Sequence, residues 1–446
     1  MASKRDLVEA HDYNRRRLIT AFVSGAPGGR EVEPVRYART LVGGLVLALL
    51  VVAGAAVSGF IQQPVPKNWA EEGLVVGKDS GSRFFAFKGT LYPVINITSA
   101  KLLLKPGTKP TVVPDKLISA KTPDSTIGIS GAPEVLPDPG NLVQDGWSAC
   151  TNGAKGVAVT VSAKPPVTAA RNQAFRVTDG KDEYVVAGGH RYPVAGDSNG
   201  QLALRALALD SEPARGVPGL WLDLLPLGTA LEAPAVAGAG ETVQTGVPDL
   251  TAVGTPVTVE GGNHYVLAQN GHLLELSDFA FSIYSSGRTV AKVSSSDSGK
   301  LTTDPGSSAY PADWPTDAVT PYTAVDQPCL QLDTTSGGKP VVGLATDSSG
   351  DAGSNDAEIT RRVGNGAGAV VRAVTAAGVL NTGPVYLIDG SGTSFAVGPD
   401  GNGAALGQLG YGSLAPRPVP KAWLTLFQSG PELSAEAAGR TPGSQQ

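Results

Sequence analysis

Few residues in this chain carry specific chemistry, and the two cysteines, Cys150 and Cys329, come first among them. Thiols in an oxidising compartment form disulfides, whereas a structural zinc takes four ligands, so a bridge is the predicted role of the pair. Closing a loop of that length restricts the unfolded chain by ~5 kcal/mol in the entropy model. Two separately buried thiols remain the alternative reading. A second candidate is Gly196-Asp-Ser198-Asn-Gly200, which matches the G-x-S-x-G spacing that presents a nucleophilic serine on a tight strand-to-helix turn. Ile95-Asn-Ile-Thr-Ser99, Gln269-Asn-Gly271 and Gly398-Pro-Asp-Gly-Asn-Gly403 take the same place in related stretches of the chain. Gly and Asn are thus expected to serve turn geometry there, with Ser198 a turn residue. His264 and His272 flank a turn without a cysteine or third ligand to complete a metal site, so a polar surface role is expected for both. Lys78, Lys181, Lys300 and Lys339 each follow a glycine, but none precedes the Ser or Thr that a phosphate-binding loop requires. No catalytic, cofactor-binding or metal residue is assigned, and no cofactor is expected.

The element that decides where these residues sit is the uncharged run Leu41 to Ile61, LVGGLVLALLVVAGAAVSGFI. As a helix its 21 residues reach ~31 Å, about one hydrocarbon core. A helix satisfies its own backbone polar groups in lipid, so this run is expected to cross a bilayer once. Eight bases and five acids precede it, a net +3, and the whole-chain −5 leaves −8 beyond it. The positive-inside rule therefore places 1–40 in the cytoplasm and the bulk of the chain outside, where cysteines oxidise. A cleaved signal peptide is the competing reading, but its apolar region spans only ~7–15 residues.

The 57 Gly and 34 Pro among 446 residues favour turn-rich β structure over long helices. A pI near 5.5 and a negative exterior give no electrostatic footprint for nucleic acid. The expected fold class is mainly β with short helices (α+β), beyond one transmembrane helix. A degenerate repeat runs through the exterior. Its best pair is Gly89-Thr-Leu-Tyr92-Pro93-Val94 with Ala100–Leu104, and Gly189-His-Arg-Tyr192-Pro193-Val194 with Gln201–Leu207, each a strand pair leading to a Leu-rich helix. Weaker copies run from Val257 through Tyr265–Leu267 into a helical His272–Leu276, and from Val385–Ile388 through Phe395–Val397 into Ala404–Leu409. Val217-Pro-Gly-Leu-Trp221-Leu-Asp-Leu-Leu225 also aligns without gaps on Val419-Pro-Lys-Ala-Trp423-Leu-Thr-Leu-Phe427, in a register that continues to Gly228 and Gly430, then Leu231 and Leu433. A buried Trp needs a particular pocket, so this match predicts duplicated packing. The expected division is a cytoplasmic arm (1–40), the membrane helix (41–61), repeat 1 (62–121), a first central part (122–164), repeat 2 (165–250) and repeat 3 (251–307). A second central part (308–380), repeat 4 (381–435) and a disordered tail (436–446) complete it, with 346–356 a surface loop.

In the arm, Ser3-Lys-Arg-Asp6 fits a capping box and Gly25-Ala-Pro-Gly-Gly29 a helix stop. Between them Leu7, Val8, Leu18, Ile19, Ala21 and Phe22 share one broad side, interrupted by Asn14 and Arg15. Arg15, Arg16 and Arg17 can lie on anionic lipid heads. The same helix, with Leu7, Leu18 and Phe22, can dock a cytoplasmic partner, and the two readings are compatible.

The order of these features resembles the EccB family, the single-pass membrane component of actinobacterial type VII (ESX) secretion systems. The resemblance spans nearly the whole chain. It rests on Arg15 through Pro34, Leu91-Tyr-Pro-Val-Ile-Asn-Ile-Thr-Ser-Ala100, Gly128-Ile-Ser-Gly-Ala-Pro133, Trp147-Ser-Ala-Cys150 and Cys329. It implies a scaffold in a large membrane complex, self-associated and beside an FtsK/SpoIIIE-like motor ATPase (EccC) and a polytopic channel-like subunit (EccD). It further implies an arm touching cytosolic partners and an elongated outer domain of four repeats around a disulfide-held centre. Family members are often labelled ATPases, a label for which this chain has no motif. Their repeats are said to resemble a phage lysin's wall-binding module, so a peptidoglycan-binding anchor is the alternative the resemblance raises.

Overall fold

The computed structural model describes residues 3–25, 37–60, 65–153, 155–323, 327–334, 339–348, 358–375, 380, 382–398 and 404–443. The chain forms two compact bodies, Met1–Pro66 and Lys67–Gln446.

In the first body, a helix runs Lys4–Ser24 between the two predicted signals. The Ser3 amide donates to the Asp6 carboxylate at 3.0 Å, satisfying one of the orphan groups at a helix start. Gly25 closes the helix in the left-handed region, φ 62°, its amide donating to Ala21 O at 3.1 Å. Leu7, Leu18, Phe22 and Arg15–Arg17 are all exposed on it. A second helix runs Tyr37–Phe60 and takes in 41–60 of the expected span, whose last residue lies outside the described ones. Its side chains are described over 41–52, and among the described residues no helix is long and apolar enough to cross a membrane.

Among the described residues the second body holds five sheets, and four of them share one strand order. Each of the four is a module that opens with a three-stranded antiparallel meander. The chain then passes through a helix, returns parallel to the first strand, makes another short helix, and comes back parallel to the third. Parallel neighbours require such crossovers, because a tight hairpin joins antiparallel strands only. The first module uses Glu72–Gly77, Arg83–Phe87 and Thr90–Pro93, then helix Ile97–Leu102, strand Thr111–Val113 and helix Asp115–Ser119, with Ile127 bridged to Val94. The second uses Gln173–Thr178, Glu183–Ala187 and His190–Pro193, helix Ser198–Ala206, strand Arg215–Gly216 and helix Gly219–Leu222, with Leu227 bridged to Arg191. The third uses Pro256–Val259, His264–Leu267 and Leu273–Leu276, helix Asp278–Ser285, strand Ala291–Val293, helix Ser295–Ser298 and strand Thr303–Ser308. The fourth uses Ala369–Val374, Val385–Ile388 and Thr393–Val397, helix Ala404–Leu409, strand Arg417–Pro420, helix Lys421–Leu424 and strand Gln428–Ser429.

The fifth sheet has six strands, built on two hairpins from distant parts of the sequence. Trp147–Asn152 pairs with Gly156–Val161, Pro328–Asp333 pairs with Val341–Asp347, and the two hairpins meet strand to strand at Cys150 and Cys329. The flanking strands are exchanged. Val167–Ala169, which follows the first hairpin, lies against the second, while Ile359–Val363, which follows the second, lies against the first. The chain thus reads as two successive halves, each a module, a hairpin and a second module. The helices of modules two and three share one apolar cluster, around Leu204, Leu207, Phe279 and Ile283. Those of modules one and four share another, around Leu102, Ile129, Leu409 and Tyr411.

Three expectations are corrected. His272–Leu276 is not helical: Leu273–Leu276 is the third strand of its module, in register with His264–Leu267, and the helix starts after it with Ser277 as cap. Gln269-Asn-Gly271 accordingly joins two strands instead of strand to helix. The segment beyond Glu436 is not a free tail through its length, because Ser434 caps a helix Ala435–Ala438 whose Ala438 is fully buried. Strand Ala369–Val374, assigned from sequence to the central part, pairs within the fourth module, and Thr320–Pro321 pairs with Gln173–Thr178 of the second. Most of the expected 346–356 loop lies outside the described residues, with Thr346 and Asp347 ending a strand.

Candidate functional site

The joint between the halves is where the sequence-marked residues converge. Cys150 and Cys329 face each other in antiparallel register, Cα atoms 3.9 Å apart, and form a disulfide. The thiol pair is therefore bridged. A link between strands 179 residues apart in sequence fixes both halves to one sheet.

The duplicated tryptophan segments pack on that sheet. Pro218 and Pro420 hold nearly the same backbone, φ −62° ψ 135° and φ −58° ψ 134°, and each starts a four-residue helix. Each proline is the cap residue before its helix, where the ring's fixed φ of about −65° matches the observed angles. Both helices drive a fully buried Trp, Trp221 and Trp423, into one core with Trp147, Leu330 and Leu332. The two are not equal in hydrogen bonding. Trp221 Nε1 donates to Ala149 O at 3.0 Å, next to the disulfide strand position, while Trp423 Nε1 is buried without a partner among the described residues. Trp147 meets the edge of Phe427 at 5.5 Å between centroids. The register continues as read. A Cβ at Gly228 would lie 2.4 Å from the Tyr192 ring and one at Gly430 2.4 Å from the Phe395 ring, so both positions exclude a side chain. Leu231 and Leu433, three residues on, are both fully buried.

The other marked residues are accounted for locally. Ser198 is exposed at the first position of its helix. Asp197 caps that helix, accepting from the Asn199 and Gly200 amides, and a Cβ at Gly200 would sit 1.9 Å from Ala195 O. The G-x-S-x-G spacing therefore reflects a capped turn under a close backbone approach. His264 stacks on Phe281 at 3.9 Å, with Nδ1 3.2 Å from Thr258 Oγ1. His272 Nδ1 lies 2.6 Å from Asp304, fastening the edge strand Thr303–Ser308 to its neighbour, and this hydrogen bond holds the Asp304 carboxyl below its ordinary range. Among the described residues no group of three or more His, Cys, Asp or Glu could hold a metal.

One cluster escaped the sequence reading. At the seam of modules two and three, Asp313 accepts from the Thr229 amide at 2.6 Å and Oγ1 at 3.0 Å, and its backbone carbonyl accepts from Tyr192 OH. Burial pushes the Tyr192 hydroxyl well up. For Asp313 burial alone would raise the carboxyl, but the Thr229 bonds outweigh it and the net shift is downward. Nothing local marks Asp313, whose partners are 84 and 121 residues away.

A family model described as "Type VII secretion system ESX-1, transport TM domain B" matches residues 1–442. The chain belongs to the EccB family. The "ESX-5 secretion system ATPase EccB5" of Mycobacterium tuberculosis (strain ATCC 25618 / H37Rv) is 27% identical over 256 residues, 53% of this chain and 49% of that protein. The "ESX-2 secretion system ATPase EccB2" of the same strain is 28% identical over 289 residues, 60% of this chain and 56% of that one. This EccB-family chain spans about half the length of the curated relatives it matches. Its fold is that of a chain in the "Structure of an intact ESX-5 inner membrane complex", with a TM-score of 0.63 at 20% identity over 99% of this chain and 96% of that one. It is also that of the chain in the "Structure of EccB3 dimer from the ESX-3 core complex", TM-score 0.65 at 19% identity over 83% and 100%.

Proposed function

We propose that this EccB-family chain is a structural membrane subunit of a type VII (ESX) secretion complex. The observation that carries the reading is the agreement of fold along 99% of the chain with a subunit of an ESX-5 inner membrane complex. In this reading 41–61 crosses the membrane once, 1–40 stays in the cytoplasm, and the disulfide-held body stands outside. The four modules are degenerate copies of one repeat, and their interlocking gives a rigid body suited to holding neighbours in place. Self-association is supported by the EccB3 dimer, and from the family resemblance we assign it an EccC-like motor ATPase and an EccD-like channel subunit as partners. Leu7, Arg15, Arg16, Arg17, Leu18 and Phe22 form the docking arm, whose apolar side chains stand exposed.

The relatives' names include "ATPase". The chain has no Gly-Lys-Ser/Thr loop, and we assign it no nucleotide turnover of its own. Blue-native electrophoresis after mild detergent, with neighbouring subunits expressed, is expected to find it in an assembly far larger than a monomer. Deleting residues 1–24 is expected to leave membrane insertion intact and abolish that assembly. A monodisperse monomer from the intact chain overturns the scaffold role. Normal secretion from the truncated chain overturns the docking role of the arm.

A further inference from the structure

Charge is divided unevenly over the second body. Residues 65–131, the first module, carry nine bases against five acids, while 132–446 carry eighteen against thirty. A module of net +4 is therefore joined to a remainder of net −12. Four of the nine bases, Lys67, Lys88, Lys105 and Lys121, stand with aromatics at the end of the sheet where the chain enters, beside the exposed Glu71 and Glu72. Lys88, exposed at the hairpin tip, lies 5.1 Å from the centroid of the Phe87 ring, which is itself 43% exposed. Phe87 stands opposite Glu72, and Glu72 pairs with the exposed Lys105 at 3.3 Å. Lys121 donates to Gly89 O at 2.9 Å and sits 5.9 Å from the Trp69 ring centroid. Trp69 is half-buried, with its neighbours Lys67 and Asn68 exposed.

We propose that this chain-entry end of the first module is a membrane-contact surface, seating on anionic lipid headgroups. The inference rests on the 41–61 helix crossing the bilayer. Trp69 lies nine residues after Phe60, so the peptide between them spans at most ~32 Å, and the cluster is tethered within reach of the headgroups. Tryptophan and phenylalanine with lysine is the chemistry that suits this layer. The rings enter the headgroup boundary while the ammonium groups meet lipid phosphates. The acidic remainder of the body is repelled from the same surface, which turns the first module toward it.

The five tryptophans supply the readout. Trp147, Trp221 and Trp423 are fully buried and Trp314 is 4% exposed, so Trp69 has the one partly open indole. The full chain is placed in lipid nanodiscs that contain a headgroup spin-labelled lipid as quencher, with Trp69→Phe giving the background of the other four indoles. Trp69 emission is expected to be quenched in discs containing phosphatidylglycerol and to recover at high salt. Lys88→Glu with Lys105→Ala is expected to lower the seated-to-free ratio ~10-fold or more. Phe87→Ser keeps the charge and is expected to weaken quenching in the same direction, with near-ultraviolet circular dichroism checking that each variant is folded. Unquenched Trp69 in anionic discs overturns the proposal. So does equal quenching in neutral phosphatidylcholine discs, or in the charge variant. A chain that fails to co-purify with the disc refutes the membrane-spanning helix instead, which separates the two readings.

Discussion

The two tryptophans of the duplicated segment make a controlled comparison, because backbone, burial and core are matched while hydrogen bonding is not. Replacing Trp by Phe removes the outer ring and the indole N–H together. The volume loss at each site is expected to cost ~1–2 kcal/mol, a fraction of the ~3–5 kcal/mol of full truncation to Ala. At Trp221 the change also breaks the 3.0 Å bond to Ala149 O, adding ~1 kcal/mol, for about 2–3 kcal/mol in all. At Trp423 it removes a buried donor without a partner among the described residues, relieving ~1–3 kcal/mol. That largely offsets the volume loss, so Trp423→Phe is expected to be near neutral. The predicted gap of ~2 kcal/mol, more than tenfold in the folding equilibrium, is read from urea unfolding followed by far-ultraviolet circular dichroism at unchanged slope. Equal losses at the two sites would refute the reasoning, since they would mean that the Trp423 N–H is as well satisfied as that of Trp221.

Cys150→Ala and Cys329→Ala are each expected to lower the unfolding midpoint to the same extent as the double variant, by up to ~5 kcal/mol in the chain-entropy model. Unequal or additive losses in the same titration would show that the thiols act separately. Gly228→Ala and Gly430→Ala are each expected to cost ~1–3 kcal/mol in thermal melts, because the new Cβ meets a buried ring. Gly216→Ala, with open space and an ordinary φ, serves as the neutral control. Several carboxyls are held below their ordinary value of 3.8: Asp115 by Ser80 and the Asp79 amide, Asp179 by the Asp182 and Lys181 amides, Asp297 by Lys300 and Ser294. Depressed carboxyls stabilise fully above the unfolded value and lose that contribution as pH falls through the folded one. Melting temperature is therefore expected to hold from neutral pH down to about 4 and drop below it, less steeply in Asp115→Asn. An unchanged acid limb in that variant would remove Asp115 from the account.

What could be read before folding was the information that is local or self-repeating. The capping residues Ser3 and Asp6 and the stop at Gly25 act within one helical turn, so the arm helix follows from spacing alone. The tryptophan segments were legible because the same pocket was filled twice, leaving a nine-residue match that runs on to Gly228 and Gly430. The thiol pair was legible by composition, there being no third cysteine to confuse it. The stretch His272–Leu276 was misread because five residues with three leucines fit a helix turn and a buried strand equally well. Pairing with Tyr265 and Val266 decides the matter, and that is a tertiary fact.

Tertiary structure alone decided how the halves meet. No local signal says that module one packs with four and two with three, that each hairpin's following strand covers the other hairpin, or that Asp313 ties Thr229 to Tyr192. Sheet edges and apolar helix faces will accept any partner of the right shape. Which partner is chosen depends on burying all of them at once, and the sum over the whole body is what the folded chain minimises.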